Sequence, residues 1–93
     1  SYTLPVLPGK YQIRLGFAET IVKKNGERIF DVYINGKKVL ANFDILKEAK
    51  TFDKAIDKNF QDIHPDADGN IHIQFVSSVQ NAKVCAFEIT RQR

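Results

Sequence analysis

Phe30-Asp31-Val32-Tyr33-Ile34-Asn35-Gly36-Lys37-Lys38-Val39-Leu40 is the stretch that decides the fold class. Phe30, Val32 and Ile34 alternate with Asp31 and Tyr33, so an extended chain here is apolar on one face and polar on the other. Asn35-Gly36 supplies the two positive φ angles of a type I′ turn, and Lys37 to Leu40 returns as a second strand. A β-hairpin results, and it anchors an all-β reading of the whole chain.

Working outward, Lys10 to Glu19 is the clearest strand: Tyr11, Ile13, Leu15 and Phe17 alternate with Gln12, Arg14 and Gly16. Gly16, on the polar face, leaves room for a neighbouring backbone or side chain. Tyr2 to Leu7 reads as an edge strand, because Pro5 has no N–H to give to a ladder, and Pro8-Gly9 as a turn. Lys23-Lys24-Asn25-Gly26 is a further turn, which puts Ile21 and Val22 just before a loop tip. After the hairpin, Asn42 to Ile45 reads as a short or irregular strand, and Leu46 to Lys50 as one helical turn at most. Lys54 to Ile63, Ile71 to Val76 and Lys83 to Ile89 complete the strands, the last with Cys85, Phe87 and Ile89 inward. Strands at short, regular intervals, without repeats or low-complexity linkers, predict an antiparallel β-sandwich. Its expected core is Phe17, Phe30, Val32, Ile34, Ile73, Phe75 and Phe87.

The 93 residues, 43% of them hydrophobic, suffice for one core, so residues 1–93 are read as a single domain. No run approaches the ~20 apolar residues of a membrane span, so no membrane partner is expected, and the N-terminus lacks a signal-peptide pattern. Cys85 is the single cysteine, which excludes an intramolecular disulfide, and its apolar neighbours make it a small buried hydrophobe. Fourteen Lys and Arg against eleven Asp and Glu leave a net charge of +3. The cations are scattered as Lys23-Lys24, Lys37-Lys38, Arg91 and Arg93 rather than gathered on one aromatic-bearing face, which argues against nucleic acid as a partner.

Chemistry-bearing patterns are few. Asp66-Ala67-Asp68-Gly69-Asn70 alternates oxygen-bearing side chains as a calcium loop does. The glycine is misplaced, however, and the twelfth position is Ser77 instead of a bidentate Glu. Asp68-Gly69 between Ile63 and Ile71 is read as a hairpin turn, with His64 and His72 on its two sides as exposed strand histidines lacking a third zinc ligand. Acids such as Glu19, Asp31 and Asp44 can always be paired on a small sandwich, but no nucleophile elbow, phosphate loop or triad supports an enzyme. Neither a cofactor nor a metal is expected. Loops held at the ends of a sandwich can instead present a shallow binding cleft.

Four blocks carry a family resemblance: Tyr11-Gln12-Ile13-Arg14-Leu15-Gly16-Phe17-Ala18-Glu19, Phe30 to Gly36, Asn42-Phe43-Asp44-Ile45, and Asn81 to Ile89. In order and spacing they resemble the later part of the malectin domain. The resemblance implies a jelly-roll-like sandwich related to carbohydrate-binding modules, found in lectins, plant receptor kinases and bacterial glycoside hydrolases. It therefore implies a non-catalytic carbohydrate-binding or accessory module of a larger extracellular or periplasmic protein, with an oligosaccharide as partner. The family's cleft corresponds to Thr20, Ile21, Val22, Gln80 and Asn81. At that cleft the chain departs from the family: an aromatic pair is replaced by Ile21 and Val22, an acid by Gln80, and preceding aromatics by Ser78 and Val79. Gln80 can hydrogen-bond a hydroxyl without the charge-assisted strength of a carboxylate. A structural spacer or protein-interaction domain that has lost the sugar is the alternative. Without the family's earlier part a long edge strand stays open, so a homodimer through that edge is an expectation.

Overall fold

The computed structural model describes residues 2–18, 26, 28–50, 55–79 and 86–92. Seven strands run in the order β1 (Tyr2–Pro5), β2 (Tyr11–Phe17), β3 (Ile29–Ile34), β4 (Lys37–Phe43), β5 (Ile56–Ile63), β6 (Asn70–Val79) and β7 (Ala86–Arg91), with helix α1 (Ile45–Ala49) between β4 and β5. They form a four-stranded sheet ordered β1-β6-β3-β4 and a three-stranded sheet ordered β5-β2-β7. Every pairing is antiparallel. The chain passes from one sheet to the other repeatedly, which is the jelly-roll-like sandwich expected.

The central hairpin forms as its residues dictate. Ile34 and Lys37 pair across the turn, and Asn35 and Gly36 hold φ of 52° and 78°, both in the left-handed region. Phe30 pairs with Phe43 and Val32 with Leu40, so β4 carries one residue more than β3 between these rungs, a β-bulge. Asn42, at φ 50°, occupies the bulge, and its N–H donates to Asp31 Oδ1 at 2.7 Å. That bulge turns Phe43 back into the core, extending the strand past the irregular segment the sequence suggests.

Tyr11, Ile13, Leu15 and Phe17 of β2 face Phe30, Val32 and Ile34 of β3 and Ile71 and Ile73 of β6 across a closed apolar layer. Phe17, Phe30 and Phe43 form an aromatic triangle with ring centroids 4.8 to 5.9 Å apart, and Phe75 reaches Phe30 at 6.2 Å. Burying each such side chain contributes about 1.5–3 kcal/mol, so this layer dominates the stability of the fold. Gly16 is crowded as expected: a Cβ there would lie 3.3 Å from Asp57 Oδ1 of β5 and 3.6 Å from the Ala86 carbonyl of β7.

Two expectations are corrected. Phe87 faces the interior beside Leu15 but remains 37% exposed, because β7 is an edge strand; among the described aromatic rings, Tyr2 packs on it with centroids 4.9 Å apart. The segment with Asp66 to Gly69 is a turn but not a hairpin, since it carries the chain from β5 in one sheet to β6 in the other. Cys85 lies outside the described residues.

Candidate functional site

The register places several strand termini together at one end of the sandwich. In the three-stranded sheet, β2 finishes at Phe17 opposite Ile56, the start of β5, while Gly16 sits opposite Ala86, the start of β7. In the other sheet, Ile29 at the start of β3 pairs with Val79 at the end of β6, and Phe30 with Phe43 at the end of β4. The connections from β2 to β3 and from β6 to β7 therefore depart from and return to the same end. Thr20, Ile21 and Val22 belong to the first connection and Gln80 and Asn81 to the second; all five lie outside the described residues.

The described part of this rim is built by the bulge and the short helix. Asp44 is the N-cap of α1: its Oδ1 accepts from the Lys47 N–H at 3.2 Å, while its Oδ2 accepts from the Gly26 N–H at 2.6 Å. One buried carboxylate thus starts the helix and fixes the chain entering β3. The helix closes after five residues at Lys50, which adopts the left-handed conformation at φ 65°. Ile45, Leu46 and Ala49 are its buried face, leaving Lys47 and Glu48 in solvent.

Two adjoining open hollows result, one lined by Gly26, Ile29, Asn42, Asp44 and Lys47 and the other running along Leu40 to Asp44 toward Glu48. Asn42, Asp44 and Lys47 line both. The exposed Asn42 amide and Lys47 ammonium are hydrogen-bonding partners for hydroxyls, while the buried Asp44 carboxylate between them is engaged with backbone N–H groups. Phe43 forms the floor but is only 4% exposed, so it offers no free ring face. Lys58 Nζ lies 5.8 Å from the Phe43 centroid and 3.5 Å from Glu48 Oε1.

The acids considered for catalysis are otherwise occupied. Asp31 stands on the outer face of the four-stranded sheet, where the Asn42 N–H, with Lys38 Nζ 3.4 Å away, holds its carboxyl below the ordinary aspartate value. Asp44 is the cap just described, and Glu19 lies outside the described residues.

The opposite end holds a cluster that sequence reasoning missed. Asp66, Asp68 and His72 converge, with His72 Nε2 2.9 Å from Asp68 Oδ2 and 3.8 Å from Asp66 Oδ2. The sequence signal was the four-residue step from Asp68 to His72. The expected hairpin, which would set His72 opposite His64, does not form, and His72 turns instead toward the two aspartates of the turn.

Comparison with known proteins gives a consistent result. The sequence model of the family described as Malectin domain matches residues 1–91. A probable leucine-rich repeat receptor-like serine/threonine-protein kinase of Arabidopsis thaliana is 41% identical over 58 residues, covering 56% of this chain and 6% of the kinase. A second, probable LRR receptor-like serine/threonine-protein kinase of the same plant is 37% identical over 65 residues, covering 63% of the chain and 7% of the kinase. The chain thus spans a small fraction of these relatives. Among solved structures, Bacteroides uniformis β-glucuronidase superposes with a TM-score of 0.85 at 25% identity, over 99% of this chain and 10% of that one. The ANX2 ectodomain from Arabidopsis thaliana superposes at 0.83 and 21% identity, over 95% of this chain and 27% of that one, a likeness of fold. Among the described residues, no helix is long and apolar enough to cross a membrane.

Proposed function

This chain belongs to the malectin domain family, and from that premise we propose that it is a non-catalytic carbohydrate-binding or accessory module, residues 1–93 forming one domain of a larger extracellular or periplasmic protein. The observation that carries the reading is the convergence at one end of the sandwich: the connections bearing Thr20, Ile21, Val22, Gln80 and Asn81 leave from the strand ends that flank the Asn42, Asp44 and Lys47 hollows. Rigid strands carry a rim whose polar groups suit sugar hydroxyls. The similarity to a part of a β-glucuronidase supports an accessory place beside a glycoside hydrolase, and the similarity to receptor kinases supports an extracellular one.

Ile21 and Val22 favour a second reading, a spacer or protein-interaction domain, because aliphatic side chains cannot stack on a sugar ring as aromatic faces do. Calorimetric titration against gluco- and galacto-oligosaccharides separates the two. Binding in the micromolar to millimolar range, weakened by Gln80→Ala and by Lys47→Ala, supports the carbohydrate module. Silence across a broad glycan panel supports the spacer.

A further inference from the structure

The end of the sandwich away from the proposed sugar rim presents a mixed imidazole and carboxylate cluster. Asp66, Asp68 and His72 each offer one donor atom, all within 4.8 Å of one another. Donors bound to a common ion at about 2.1 Å stand about 3.0 Å apart at right angles and about 3.4 Å apart in a tetrahedron. The separations from His72 Nε2, 2.9 Å to Asp68 and 3.8 Å to Asp66, bracket those values, and a common ion would draw the two exposed aspartates, which lie within 4.8 Å of each other, closer together.

The donors are held from outside the cluster. The His72 N–H donates to Asn35 Oδ1 at 2.8 Å, which ties the ligand strand to the β3–β4 turn. The Val6 N–H donates to the Gly69 carbonyl at 3.1 Å, which ties the aspartate turn to the chain following β1. Most informative is Thr3 of β1, whose Oγ1 lies 3.2 Å from His72 Nδ1. His72 Nε2 is hydrogen-bonded to Asp68 Oδ2; with the ring proton carried on Nδ1 and donated to Thr3 Oγ1, Nε2 is freed to ligate an ion between Asp66 and Asp68, the outer-sphere arrangement that orients metal-binding histidines. Thr3 belongs neither to the turn nor to β6, so this contact is independent of the carboxylates.

The geometry points to a three-ligand site for a divalent transition metal, with His72 Nε2 and one oxygen each from Asp66 and Asp68 as ligands and water completing the shell. One imidazole with two carboxylates suits Zn²⁺ or Co²⁺, whereas an all-oxygen set would suit Ca²⁺.

The test is titration of the chelator-treated protein with Zn²⁺ by calorimetry, alongside the nitrogen-15 shifts of the imidazole rings. One equivalent is expected to bind and to shift the His72 Nε2 resonance. Asp68→Asn and His72→Ala should abolish that binding, and Thr3→Val should weaken it at least ~10-fold, as loss of an outer-sphere partner does. His64→Ala should leave it intact. Because all four positions are partly or fully exposed, circular dichroism of each variant is expected to match the parent. Absence of Zn²⁺ binding by the parent overturns the assignment, and so does binding that survives His72→Ala.

Discussion

Replacing Phe30 by alanine removes the ring at the centre of the sandwich. Phe30 is 0% exposed, and its ring meets Phe17 of the opposite sheet at 5.9 Å, Phe43 of the neighbouring strand at 5.5 Å and Phe75 at 6.2 Å. Phe→Ala changes in cores cost about 3–5 kcal/mol, and the three aromatic contacts place this one near the top of that range. A chain of this length has about 5–14 kcal/mol of stability in total. With a urea m-value of about 2 kcal/mol per M, the midpoint should fall by about 2 M. Phe87→Ala is the internal comparison. Although Phe87 shares the inward side of its strand, it stays 37% exposed and packs on Tyr2 at the sheet edge. The cost there should be under ~1.5 kcal/mol, since the water-exposed part of the ring contributes nothing to burial. Urea unfolding followed by far-ultraviolet circular dichroism reads both variants. Equal losses at the two positions, or a tolerated Phe30→Ala, would refute the assignment of the core to the β2–β3–β4 side.

Asp31 is held below its ordinary value first by the Asn42 N–H and then by Lys38, so its contribution is present above pH ~4 and is lost as pH falls through its lowered folded value. Asp31→Asn should lower the urea midpoint at pH 7 and converge with the parent near pH 2; an equal gap at both pH values contradicts this. Asn35 uses its side chain twice, Nδ2 donating to the His64 carbonyl at 2.6 Å and Oδ1 accepting from the His72 N–H at 2.8 Å. Asn35→Gly, which keeps the positive φ, should cost about 1–3 kcal/mol from the hydrogen bonds alone, and Asn35→Ala about 1 kcal/mol more from left-handed strain. Thermal melts rank the two, and the reverse order would deny the turn its I′ geometry. Homodimerisation through an open edge is expected to appear as concentration-dependent elution in size-exclusion chromatography. β5 is the longest edge, at eight residues, and constant monomer elution would mean that its charges Asp57, Lys58 and Asp62 are sufficient protection.

The local chemistry of the fold was legible wherever short-range rules decide. Asn35-Gly36 can hardly be anything but a tight turn, and the period-2 runs of β2 and β3 have one apolar face each. What stayed hidden depends on which strands become neighbours. Phe87 looks as apolar in sequence as Phe30, and only the position of β7 at a sheet edge leaves it partly wet. The bulge at Asn42 needs Asp31, a partner eleven residues away, to satisfy its N–H. Asp68 and His72 are only four residues apart, but that step brings Asp66, Asp68 and His72 together only in the turn that carries the chain from the β5 sheet to the β6 sheet, not in the hairpin the pattern suggests. At the proposed carbohydrate rim, the blocks shared with the family predicted the scaffold, whereas Ile21, Val22 and Gln80 depart from the family's pattern.

The most direct measurement is a backbone amide nitrogen-15 titration of the folded chain with a glucose-containing oligosaccharide series. The account predicts saturable shifts confined to the connections holding Thr20, Ile21, Val22, Gln80 and Asn81 and to Asn42, Asp44 and Lys47 beside them. Shifts concentrated on the outer sheet faces, or a spectrum unchanged by every sugar, would contradict it.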